Sequence, residues 1–326
     1  SSHSLPYLLL TAILCGGLIM VIEVLGSRIV GPFFGVSLFV WTSLIAVTLI
    51  ALALGYAFGG LLADRYPSAD YLYGLIIAAA IFTLMTPWLQ GPILKLSLPL
   101  GLRGGAFVST ILLFGPSLFL LGCVSPYLVK VATQEMGSLG RTVGSFYALS
   151  TIGSVIGTAL TGFVLIAYLV VSTIFFGIGT ILLLLGIGHF GIFRRRFSAL
   201  LLLFLPFLGL IHDPAKARTL VMENGTRVTR VAEVDSFYGS LKVLDYRGGT
   251  NHTREMVIDG LIQGGIDMRD GLSIYEYSYF LQLIPRAIAP QGQTALVIGI
   301  GAGILPSWYE RQGVATEAVD IDPEVV

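Results

Sequence analysis

The chain has 326 residues, 55% of them hydrophobic and only 12% charged, where an ordinary soluble domain carries roughly a quarter charged residues. That composition and a mean hydropathy of +0.86 exclude an ordinary cytosolic enzyme. The 19 Lys and Arg balance the 19 Asp and Glu with no Lys/Arg-rich tract, which excludes nucleic acid as a partner, because phosphate binding needs concentrated positive charge. The charge is unevenly spread: residues 1–212 hold 9 basic and 4 acidic residues, and residues 213–326 hold 10 basic and 15 acidic ones. The first part reads as a helical domain in a lipid bilayer, the second as a water-soluble module tethered to it.

Taken in chain order, residues 6–22 form an apolar run ending at Glu23, and it is expected to stay in the protein, since no small-residue cleavage site follows it. The charge-free run 29–63 holds a span near 41–62, preceded by the loop-like Gly31-Pro32-Phe33-Phe34-Gly35. Residues 71–94 make a third span and 104–129 a fourth, interrupted by Pro116 and Pro126. The charge-free run 142–193 is long enough that it must fold back on itself as a fifth and sixth. Run 197–212 contains Pro206 and is shorter than the usual span, so it either crosses or lies in the interface, giving six or seven spans in all.

Arg65, Lys130, Arg141 and Arg194, Arg195 and Arg196 fall on one side of these spans, and Arg28, Lys95 and Arg103 on the other. The positive-inside rule puts the first side in the cytoplasm. With six spans the water-soluble module is cytoplasmic as well; a seventh would move it outside. Glu23 is an ionisable residue inside an apolar span, and such residues face a partner, a cavity or a substrate path, with Arg28 or Lys130 as pairing alternatives. Cys15 and Cys123 lie in apolar runs without metal-site spacing and carry no assigned role, and no metal is expected. His189 and His212 sit near span ends and are likewise given none.

In the second part, residues 213–270 read as a β-strand subdomain, with runs 241–245 and 255–259 flanking a hairpin loop at Arg247-Gly248-Gly249-Thr250-Asn251. Residues 273–289 have a helical pattern. An apolar strand, 294–300, then enters Gly299-Ile300-Gly301-Ala302-Gly303, followed by a helix at 304–312 and a strand at 315–321 ending in Asp320 and Asp322. Residues 271–326 thus read as the opening β-α-β of a Rossmann-like fold. Gly299, Gly301 and Gly303 let the backbone approach a ligand at a helix N-terminus, and Asp320 stands about 20 positions on, where a carboxylate accepts hydrogen bonds from ribose hydroxyls. Two such strands alone would leave apolar sheet faces uncovered.

Several of these stretches resemble known families. Gly60-Leu61-Leu62-Ala63-Asp64-Arg65 is similar to the cytoplasmic loop motif of major facilitator transporters. Together with Glu23-Val24, Gly55, Gly59-Gly60 and Tyr147-Ala148, it resembles the membrane part of bacterial proteins described as fused major facilitator and spermidine synthase. Ser236-Phe237-Tyr238, Val257-Ile258-Asp259-Gly260-Leu261-Ile262-Gln263, Tyr277, the glycine turn and Val319-Asp320-Ile321-Asp322 stand in the order and spacing of spermidine synthases over roughly the last 90 residues. The resemblance implies a bacterial inner-membrane protein in which S-adenosylmethionine or its decarboxylated form is co-substrate. Gln263 and Asp320 would hold its ribose or nucleoside part, and the three glycines would underlie the sulfonium. Tyr238, Asp259 and Tyr277 would border the amine channel, with Glu23 a substrate-facing residue of the membrane part.

The chain also departs from that family. Gly239 stands where the family has Gln, Ala302 where it has the Asp that anchors the donor's primary amine, and Ser278 and Tyr279 where it has His or Gln and then Glu. The family's amine-deprotonating Asp is expected beyond Val326. The leading expectation is aminopropyl transfer to an amine or a hydrophobic small-molecule acceptor, releasing methylthioadenosine. The alternatives are methyl transfer from S-adenosylmethionine to a membrane substrate, and a transporter-like protein with a regulatory adenosyl-binding module. A homo-oligomer is compatible with each.

Overall fold

In a computed structural model, described for residues 5–35, 37–136, 139–194, 206, 219–222, 224–236, 238–258 and 260–326, the chain divides into two units, residues 1–215 and 216–326. The first is helical: α1 (Leu5–Phe34), α2 (Leu38–Arg65), α3 (Ala69–Ser97), α4 (Gly101–Met136), α5 (Leu139–Leu160) and α6 (Val171–Arg194). A π-helical turn, Thr161–Leu165, carries α5 on to Tyr168. Among the described residues, five helical segments here are long and apolar enough to cross a membrane. The third, Ala69–Thr133, breaks at Leu98–Leu100, where Gly101 takes φ 72°, and its arms α3 and α4 fold back on each other. Thr83 and Ser117 join hydroxyls across that pair, and Ser117 donates to the Ala79 carbonyl at 2.9 Å. Six rods result.

One expectation is corrected. Gly31-Pro32-Phe33-Phe34 is no loop: α1 continues through Glu23 to Phe34 with Pro32 inside it, and the turn comes at Gly35, whose φ of 80° suits a residue without Cβ. Most apolar positions of α1, α3 and α6 are buried in one continuous core, while α2 and α5 expose much of their length. Close approach of the helices rests on glycine. A Cβ on Gly17 would stand 2.9 Å from the Gly153 carbonyl oxygen, and one on Gly59 would crowd the Cys123 backbone. Small residues at such crossings are what lets helices pack without a hydrophobic drive between them in lipid. Run 197–212, apart from Pro206, lies outside the described residues.

The second unit begins with a five-stranded antiparallel meander in the order β1 (Thr219–Val221), β2 (Arg227–Asp235), β3 (Ser240–Gly248), β4 (Asn251–Ile258) and β5 (Leu261–Asp267). The expected hairpin joins β3 to β4 with Gly248 opposite Asn251 and Gly249 at φ 57°. Two residues facing each other in that ladder, Asp245 and Arg254, form a bidentate ion pair at 2.6 and 3.0 Å. Asp245 is 4% exposed, and the Arg254 hydrogen bonds hold its carboxyl below the usual carboxylate range against the opposing cost of burial.

Then come α7 (Glu276–Ile288), β6 (Thr294–Ile298), α8 (Ile304–Arg311) and β7 (Ala315–Val319), with β6 and β7 parallel and in register from Thr294 opposite Ala315 to Ile298 opposite Val319. Val297, Tyr309 and Val314 are the buried centre of this small β-α-β layer. Alternate strand residues point the other way, and Ile298 is 82% exposed.

Candidate functional site

The strand-to-helix turn is where the chain's local chemistry is most constrained. After Ile298 the backbone adopts positive φ three times, at Gly299 (85°), Gly301 (54°) and Gly303 (72°), a conformation that costs an L side chain roughly 1–2 kcal/mol per residue. Gly303 is also the residue at which α8 starts, which leaves the Ile304 and Leu305 N–H groups without an intrahelical partner. Gly299 N–H donates to the Val319 carbonyl at 2.8 Å, extending the β6–β7 pairing by one residue.

Asp320 clasps this turn. One carboxylate oxygen accepts from the Ile300 N–H at 2.7 Å and the other from the Asp322 N–H at 3.0 Å. These backbone donors, Asp322 first and then Ile300 and Gly301, hold its carboxyl below the usual range although partial desolvation opposes them.

Strand β5 passes close beside the turn. Gly301 is near enough that a Cβ there would sit 3.6 Å from the Gln263 carbonyl oxygen, and a Cβ on Gly264 would stand 2.9 Å from the Ala302 Cβ. Tyr277, from the start of α7, donates its hydroxyl to that same Gln263 carbonyl at 2.8 Å. Gln263, Tyr277, Gly299, Gly301, Ala302 and Asp320 therefore line one cleft of about 850 Å³, within the range of roughly 300–1,000 Å³ usual for small-molecule sites.

Other expected residues stand elsewhere. Tyr238 is 45% exposed and does not line the cleft, and neither does Gly303, the cap of α8. Asp259 lies outside the described residues, and Glu23 belongs to the helical unit, half-buried on α1. No hydrogen bond or ion pair reaches Glu23 from the described residues; Lys130, one suggested partner, pairs with Asp64 at 2.6 Å instead. Ser278 and Tyr279 turn their hydroxyls to the backbone of their own loop, at Tyr275 (2.8 Å) and Ser273 (2.7 Å).

Compared with family models, with curated proteins and with solved structures, the chain matches none. The site is therefore defined by its own geometry.

One contributor escaped the sequence reading, and another was named there without a role. Gly264 is needed because β5 and the glycine turn nearly touch, and a Gly-Gly pair inside a strand is the signal for such an approach. Asp322, 2% exposed, accepts from the Ser236 hydroxyl at 2.6 Å, while Ser236 Oγ accepts from the Tyr238 N–H at 3.1 Å. This bond ties the loop before β3 to the segment after β7, which fixes the chain just beyond Asp320. Among the described residues no cluster of His, Cys, Asp and Glu is arranged to hold a metal.

Proposed function

We propose that residues 216–326 bind an S-adenosylmethionine-type compound in this cleft and serve a membrane-embedded transferase of the spermidine synthase type. The observation that supports this is the convergence of Gln263, Tyr277, the positive-φ glycines Gly299 and Gly301, and Asp320 on one cleft beside two parallel strands, in the manner of a Rossmann-like nucleoside site. On this reading the Asp320 carboxylate takes the ribose hydroxyls alongside its backbone donors, and the open glycine turn gives the sulfonium end a close approach to the backbone. An amine attacks the carbon next to the sulfonium, the new C–N bond forms as the C–S bond breaks, and methylthioadenosine leaves with the sulfur lone pair. The chain's part is positioning of donor and acceptor.

Methyl transfer from intact S-adenosylmethionine is the second reading, and Ala302 favours it. The residue lines the cleft at the turn yet offers only a methyl group where a carboxylate would hold a donor's primary amine. A hydrogen bond to a charged group is worth roughly 1.5–3 kcal/mol, so discrimination in favour of the decarboxylated donor is expected to be weaker by about tenfold or more than in a spermidine synthase. Ala302→Asp is expected to shift preference toward the decarboxylated donor.

The test is to incubate the purified full chain with each donor and an amine and to read product mass. Methylthioadenosine supports aminopropyl transfer and adenosylhomocysteine supports methyl transfer. Donor binding without either product leaves a regulatory adenosyl site in a transporter-like protein, and absence of binding overturns the reading altogether.

A further inference from the structure

A second polar centre, independent of the adenosyl cleft, lies where α3 begins and α6 ends. Asp70 is in the first turn of α3, while His189 and Arg194 are in the last turns of α6. Each charge type thus sits at the helix end whose dipole favours it. His189 is 0% exposed, and its Nε2 is 3.0 Å from Asp70 Oδ1. Arg194 approaches the same carboxylate, with Nε 2.8 Å from Oδ1 and Nη2 2.7 Å from Oδ2.

The imidazole has aromatic neighbours throughout. Tyr73 stacks on it with centroids 4.2 Å apart and planes 16° from parallel, and Phe190 and Phe193 stand at 5.4 Å. From α1, Thr11 Oγ1 meets the Tyr73 hydroxyl at 3.0 Å, Tyr7 packs on Tyr73 at 5.5 Å, and Cys15, one helical turn on from Thr11, is buried. Asp70, Tyr73, Arg194, Tyr7 and Cys15 are thus the titratable groups facing this centre from α1, α3 and α6.

One carboxylate here serves two cation-forming side chains of unequal access to water. Arg194 is 41% exposed and can turn to solvent, whereas the imidazole cannot. Protonation of His189 would place a second cation beside Asp70 in a region where charges interact more strongly than in water. A carboxylate at Nε2 supplies the opposite charge, and a π face over the ring adds to it, where an imidazolium forms with water excluded.

We propose that His189, Asp70 and Arg194 form a proton-binding site of the helical unit, in which uptake of a proton by His189 draws the Asp70 carboxylate to the imidazole and releases Arg194. The proton enters through Asp70, whose side chain is 35% exposed. Protonation thereby governs whether α3 and α6 are latched at their ends through arginine or through histidine.

The full chain in lipid nanodiscs, labelled with 15N in its histidines and arginines, tests this. The His189 signal is identified by its loss in His189→Gln. It is expected to move from imidazole to imidazolium within about pH 5–8, and the Arg194 Nε signal is expected to change with the same midpoint. Asp70→Asn should lower that midpoint by about 1–3 pH units, and Arg194→Gln should raise it by removing the competitor. Should Asp70→Asn fail to fold, Arg194→Gln decides alone. A ring that keeps one protonation state across the range, an Arg194 signal that does not follow it, or a midpoint unmoved by Arg194→Gln overturns the proposal.

Discussion

Glycine does opposite work in the two units. On α1 and α5, Gly16, Gly17, Gly153 and Gly157 are needed because the neighbouring backbone occupies the space a Cβ would take: a Cβ on Gly17 would stand 2.9 Å from the Gly153 carbonyl oxygen. At the turn after β6 the space is open, with nothing within 4 Å of a Cβ on Gly299 or Gly303, and glycine is needed because φ is positive. The helical unit is thus intolerant of volume, whereas the cleft-forming turn is intolerant of ordinary backbone geometry. Substitutions at the two places should fail in different ways.

The largest effect is expected at the helix crossing. Gly153→Leu should cost the helical unit about 3 kcal/mol or more, since the clash is with backbone and no side chain can move aside. Thermal unfolding followed by helical circular dichroism, with limited proteolysis reporting on each unit, should show the helical unit loosened and residues 216–326 unaffected. In the second unit the meander depends on a buried charge pair. Arg254→Ala should destabilise it by about 2 kcal/mol, below the value for a fully buried pair because Arg254 is 37% exposed and His252 remains 3.5 Å from Asp245. Denaturant unfolding monitored in the β-strand signal measures this, and an unchanged midpoint would remove the pair from the account.

Gly299→Ala should cost roughly 1–2 kcal/mol through backbone strain alone and weaken donor binding, whereas the same change at half-buried Gly60, where φ is not positive and nothing lies within 4 Å, should do neither. The smallest expected effect is on acid stability. The Asp320 carboxyl lies below the usual range in the folded chain, so its contribution is complete above its unfolded value of about 3.9 and is lost as pH falls through the folded one. Asp320→Asn should flatten that acid limb of the denaturation profile and leave the neutral-pH limb parallel to the parent.

Much of this architecture is legible in the sequence because it follows from local composition. Charge-free runs show where long apolar helices lie, Gly248-Gly249 shows the hairpin, and three glycines between a strand and a helix show the turn. What is not legible depends on partners distant in the chain. His189 lies 119 residues from Asp70, and nothing around it distinguishes it from a packed core histidine. Ser236 and Asp322, 86 residues apart, are no more evident. Gly31-Pro32-Phe33-Phe34 misleads because proline and glycine suggest a break, yet α1 runs through them to Gly35. At the site itself, the positions of Gln263, Tyr277 and Asp320 could be anticipated from motif order. That Asp320 also clasps the glycine turn through backbone N–H groups could not, since it depends on how β7 ends against that turn.

The most direct measurement is calorimetric titration of the full chain with S-adenosylmethionine, its decarboxylated form and methylthioadenosine, beside the Asp320→Ala variant. Saturable one-to-one binding of at least one of these compounds, weakened tenfold or more in Asp320→Ala, is the predicted result. Equal affinity in parent and variant, or no binding of any of the three, would contradict an adenosyl site in the cleft between β5 and the glycine turn.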